Sequence, residues 1–96
     1  MATFISLLNF TDQGIRTVKD APKRVDAFRA MAKKLGVTLK DYYMTVGHYD
    51  VIIVLEGSDE AVATALLKVA SLGNVRSETL RAFSETEMVR ITGNIP

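Results

Sequence analysis

Apolar positions along this chain change period several times, and each change marks an element. "TFISLLNF", Thr3 to Phe10, is rich in β-branched and aromatic residues and too short for a buried helix, so it reads as a first strand. "TDQGIRTVKD" follows, with Thr11 placed to cap a short helical turn that Gly14 weakens. Pro22 disfavours helical geometry at Ala21 but suits a first turn, so a longer helix is expected to start near it. Within that helix Val25, Phe28, Ala32 and Leu35 fall at helical spacing, Lys23, Arg24, Asp26, Lys33 and Lys34 take the wet side, and Gly36 supplies a left-handed stop.

"VTLKDYYMTV" and "DVIIVLE" are the next two predicted strands, joined through Gly47, His48 and Tyr49 by a connection short enough for a hairpin. Ser58 or Asp59 caps a second helix, whose apolar face is Val62, Ala65, Leu66, Val69 and Leu72 and whose end is Gly73. "NVRSETLRAF" is the fourth strand. Ser84 and Glu87 make a capping-box pattern, which predicts a brief terminal helix within residues 84–96 and leaves "TGNIP" as a tail. The order strand, helix, strand, strand, helix, strand is the split βαβ arrangement. It implies an α+β, ferredoxin-like βαββαβ domain over residues 1–96, a four-stranded antiparallel sheet with two helices on one face.

The strand pattern also bears on assembly. A sheet covered on one face alternates apolar with polar residues, whereas "VIIVL" and "FISLLNF" offer apolar side chains to both faces. Two helices cannot cover both, so the expected cover is the same face of another copy, in a homodimer or larger homo-oligomer with sheets packed together. Tyr42 and Tyr43, adjacent on a strand, point to opposite faces, and the sequence leaves open which one meets the helices.

Composition narrows the partners. Twelve basic and eleven acidic residues leave a formal charge of +1, too little to attract a phosphate backbone or an anionic bilayer, so neither nucleic acid nor membrane is expected. The basic stretch "APKRVDAFRAMAKKLG" reads as a solvated helix back rather than a membrane contact. The absence of cysteine removes disulfides, thiolate metal sites and thiol nucleophiles together. "MATFISLLNF" has no basic n-region or small-residue cleavage site, and no apolar run approaches the roughly 20 residues that span a bilayer, so a cytoplasmic location is expected.

Candidate chemistry is sparse. Gly47 and Asp50 have the makings of a structural turn, the one through positive φ and the other through a carboxylate that accepts backbone N–H bonds. Tyr49 is then an aromatic anchor beside the turn; in the functional reading the loop is one rim of a pocket, with His48 or Asp50 as proton acceptor and Tyr49 among the ligand-binding candidates. One His without Cys makes neither a three-His nor a cysteine zinc site, and "SDE" lacks the spacing of a calcium loop; His48 as a lone axial haem ligand is the residual option, and no metal or cofactor is expected. Arg76 and Arg81 project from opposite faces of the last strand, so at most one enters a space between subunits, where Arg81 with Asn9 and Tyr43 would clamp a carboxylate ligand.

"TDQGI" after the first strand, "GHYD" at the hairpin and "SLGNVRSETLRAF" into the last strand together resemble the GYD domain family, small proteins named for that Gly, Tyr and Asp; the likeness runs from about Phe4 to Met88. The resemblance implies a ferredoxin-like fold of the dimeric α+β barrel type. In the wider superfamily it implies, that fold serves cofactor-free monooxygenases, isomerases, haem-degrading enzymes and ligand-sensing regulator domains, so it does not choose a function. The position of His48 within "GHYD" varies in the family, which weakens a catalytic role for it. Two expectations follow. The first is a homo-oligomeric small-ligand-binding or assembly module without catalysis, favoured by the lack of a second histidine or paired carboxylate. The alternative is a cofactor-free monooxygenase or isomerase acting on a small aromatic or lactone-like substrate, with Tyr43, His48 and Asp50 supplying hydrogen bonds or proton transfer.

Overall fold

The computed structural model describes residues 1–96. Its elements are β1 Ala2–Phe10, α1 Asp12–Arg16, a 3-10 turn Val18–Asp20, α2 Ala21–Lys34, β2 Thr38–Met44, β3 Val51–Gly57, α3 Asp59–Ser71, β4 Val75–Ala82 and α4 Glu85–Gly93. Local chemistry sets the helix starts. The Thr11 hydroxyl accepts the Gly14 N–H at 3.1 Å, Ser58 accepts from Ala61 at 3.2 Å, and Ser84 accepts from Glu87 at 3.1 Å. The Glu87 carboxylate accepts the Ser84 N–H in return at 3.0 Å, completing the capping box. Gly36 at φ +81° and Gly73 at φ +85° turn the chain out of α2 and α3 in a conformation that disfavours any side chain.

The strands form one antiparallel sheet in the order β2-β3-β1-β4, with α2 and α3 on one side, which is the expected ferredoxin-like architecture. Phe4, Leu8, Val51, Ile53 and Leu55 point toward the helices and pack with Phe28, Ala32, Val37, Val62, Ala65 and Leu66. Ser6 is fully buried in the same layer and is satisfied by the Thr79 hydroxyl at 2.5 Å. Leu35 and Leu72, expected on the apolar helix faces, are instead 38% and 55% exposed, because each falls at the helix end where the chain turns away from the sheet.

The opposite side of the sheet carries Ile5 and Leu7 from β1 beside Ile52 and Val54 from β3, and no element of the chain packs over it. Leu80 and Tyr43 flank this stripe on the two edge strands, 47% and 60% exposed. The two tyrosines separate as expected: Tyr42 pairs with Ile53 and packs against the core, and Tyr43 pairs with Ile52 on the open side. A bulge between Leu39 and Asp41 decides which is which, since it lets Leu39 and Tyr42 share the helix side although they stand an odd three positions apart.

The terminal helix is longer than a tail of five residues allows: α4 runs through Gly93 and so includes Thr92 and Gly93. It makes little contact with the rest of the chain, and Met88, Val89 and Ile91 on it are 51%, 62% and 43% exposed. The molecule is accordingly long, 51 × 31 × 18 Å, with a radius of gyration of 14.6 Å where a compact domain of this length has about 12.5 Å. No helix is long and apolar enough to cross a membrane.

Candidate functional site

The "GHYD" bend joins β2 to β3 and is tied to β1. Thr45 donates its N–H to the Asp50 carbonyl at 2.8 Å and its hydroxyl to the Tyr49 carbonyl at 2.5 Å, closing the loop around Gly47 at φ +152°. Asp50 then donates its N–H to the Leu8 carbonyl, and its carboxylate accepts the Phe10 N–H, both at 2.9 Å. That N–H lies where β1 has run past its partner strand, so the carboxylate stands in for the missing strand neighbour. Tyr49 is half-buried beside the bend, and His48 is exposed on it without a hydrogen-bond partner.

A second cluster begins one residue further along. The Thr11 N–H donates to the Asn74 carbonyl at 3.1 Å and its hydroxyl to the Gly73 carbonyl at 2.5 Å. The Gln13 amide donates to the Leu72 carbonyl and to the Asn74 side chain, each at 2.9 Å. Gly14 is buried so closely against this turn that a β-carbon there would stand 1.9 Å from the Asn74 carbonyl oxygen. "TDQG", "LGN" and "GHYD", far apart in sequence, thus meet at one end of β1. Each takes a backbone group that would otherwise be orphaned, so the cluster braces the fold.

The remaining candidates do not converge. Asn9 faces the open side of the sheet opposite Arg76, whose guanidinium donates to the Phe10 carbonyl at 3.3 Å. Tyr43 is on the same open side but two strands away. Arg81 pairs with Phe4 and therefore lies on the helix side; its guanidinium sits 4.4 Å from the Phe83 ring and 5.6 Å from the Phe4 ring and donates to the Thr3 and Ala82 carbonyls. The structure does not bring Arg81 together with Asn9 and Tyr43, and the arginine of β4 on the open face is Arg76. No group of three or more His, Cys, Asp or Glu residues is arranged to hold a metal ion.

Arg24 escaped the sequence reading, which put it on the wet side of α2. It is half-buried, donating to the Thr17 carbonyl and hydroxyl at 3.1 and 3.0 Å and to the Gly14 carbonyl at 3.1 Å, with its guanidinium 6.0 Å from the Phe10 ring. An arginine one position before Val25 on the apolar face was the available signal, because a long side chain there can lie back over the core.

A model of the GYD domain matches residues 4–92. The chain is 35% identical over 91 residues, 93% of its length and 96% of the relative's, to the glutamine synthetase and cystathionine beta-lyase binding protein of Thermus thermophilus. Among solved structures it resembles a feast or famine regulatory protein of M. tuberculosis complexed with L-methionine, with a TM-score of 0.63 and 15% identity over 88% of this chain. It spans 51% of that regulator's length. A second structure, also from Thermus thermophilus, gives a TM-score of 0.55 at 24% identity and covers 88% of this chain and 95% of that one. The two structural likenesses speak to the fold.

Proposed function

This chain belongs to the GYD domain family, and from that premise we propose that it is a binding module without catalytic activity, assembled through the open face of its sheet into a homodimer or larger homo-oligomer. The observation that carries the reading is the uncovered stripe of Ile5, Leu7, Ile52 and Val54. Strands about 4.8 Å apart and about seven residues long give that face a footprint of roughly 450 Å², against the ~800 Å² per partner of a stable interface. The exposed apolar side of α4, continuing from the edge strand β4, offers the additional area.

A relative named for binding two enzymes supports docking onto other proteins as the work of the assembly. The methionine bound by the regulator-like neighbour supports a small ligand as a second input. The engagement of the Asp50 carboxylate by a backbone N–H, and the lack of a hydrogen-bond partner for His48, favour this reading over turnover. The proposed setting is the cytoplasm.

Ile52→Lys tests the reading. It puts a charge in the centre of the stripe and leaves the helix-side core untouched. Sedimentation equilibrium is expected to give the wild type at least twice the 10.6 kDa chain mass and the variant a single-chain mass with native circular dichroism. A wild type that sediments at 10.6 kDa at micromolar concentration contradicts it.

A further inference from the structure

The helix-covered side of the sheet holds a cavity of about 60 Å³ beneath α2, walled by Leu8, Phe10, Val25, Tyr42, Val69 and neighbouring core residues. Arg24 is the single charged side chain on that wall. Its guanidinium has no carboxylate within ion-pair distance; its contacts are the backbone and hydroxyl oxygens of Thr17 and Gly14, which leave the positive charge uncompensated. Tyr42 lines the same cavity, and its hydroxyl has no hydrogen-bond partner. Burial pushes the phenol above its ordinary value, with the nearby Arg24 charge pulling the other way, so at neutral pH it is a proton donor.

We propose that this cavity binds a small monocarboxylate with a branched or aromatic tail, its carboxylate held by Arg24 and Tyr42 and its tail filling the space beneath α2. The inference deepens the proposed binding role and rests on it for its purpose, though not for its geometry. The volume of about 60 Å³ is smaller than the roughly 150 Å³ that encloses a whole benzene ring, but the cavity opens to solvent on one side, so it takes a short branched chain or the inserted edge of a ring. One guanidinium and one phenol match the oxygens of a monoanion. A phosphate dianion would enter an apolar chamber with too few donors to replace its water. The guanidinium is already fixed by Thr17 and Gly14, so little rotamer freedom is lost when a carboxylate arrives.

The experiment is protein-observed NMR titration with sodium benzoate and, as the uncharged match, benzamide. Benzoate is expected to shift Tyr42, Val25 and Val69 resonances saturably, and benzamide to bind about tenfold more weakly, as for loss of a charge-assisted bond. Tyr42→Phe, which removes only the hydroxyl, is expected to weaken benzoate about tenfold. Val69→Phe, which fills the cavity, is expected to abolish the shifts while the rest of the spectrum stays native. Equal affinity for benzamide, indifference to both variants, shifts centred on Ile5, Leu7 and Tyr43, or no saturable shift up to about 10 mM would each overturn the proposal. Assembly is read separately as mass, so a monomer that binds benzoate sinks the oligomer alone, and an oligomer that ignores benzoate sinks the ligand alone.

Discussion

Gly14→Ala sets two effects of known size against each other. Gly14 sits inside α1 and is not among the residues with positive φ, so helix propensity alone favours alanine by about 1 kcal/mol. The added β-carbon, however, would stand 1.9 Å from the Asn74 carbonyl oxygen and 2.9 Å from its carbon, both backbone atoms. Relief requires α1 to move away from the α3–β4 turn, and that movement stretches the bonds from Thr11 to Asn74 and Gly73 and from Gln13 to Leu72 and Asn74. Overpacking of this kind costs about 1–3 kcal/mol and each hydrogen bond lost costs about 1 kcal/mol, so a net destabilisation of about 2–4 kcal/mol is expected. That is a large share of the ~5–15 kcal/mol that holds a domain. Urea unfolding at one fixed protein concentration measures it, because stability coupled to assembly varies with concentration. Gly93→Ala is the control: it also lies in a helix, with nothing within 4 Å of its added β-carbon, and is expected to be neutral or stabilising. A Gly14→Ala protein as stable as the wild type would refute the brace.

Asp50→Ala leaves the Phe10 N–H without its partner and is expected to cost about 1.5–3 kcal/mol in the same unfolding assay. Ile52→Lys is expected to separate the subunits without unfolding them. Glu87 has its carboxyl held below the ordinary 4.5, chiefly by the Ser84 backbone N–H. A depressed folded value means that the stabilisation of α4 is full above 4.5 and is lost as pH falls through the lower folded value. Carbon chemical shifts of residues 85–93 are expected to lose helical character across that window, and Glu87→Gln to remove the dependence.

What could be read from the sequence was local. Thr11, Ser58 and Ser84 identify helix starts because an N-cap acts within three residues, and Gly36 and Gly73 identify helix ends because few other residues take their φ. The uncovered sheet face was legible in "VIIVL", since period two makes two-sided apolarity visible. The facing of Tyr42 was not, because it depends on one extra residue in the bulge before Asp41, which no alternation pattern announces. The brace and the Arg24 cavity were hidden for another reason. Thr11 and Asn74, or Arg24 and Tyr42, are brought together by strand order and helix packing, and neither leaves a mark in a short window of sequence. Arg81 shows the same limit: its strand parity was readable, but which parity faces the helices was set by pairing with Phe4.

The most direct test of the account is an isotope-filtered NOE experiment on a sample mixing labelled and unlabelled chains. The account predicts contacts between copies at the methyl groups of Ile5, Leu7, Ile52 and Val54. Contacts between copies confined to α2 and α3, or none at all, would contradict it.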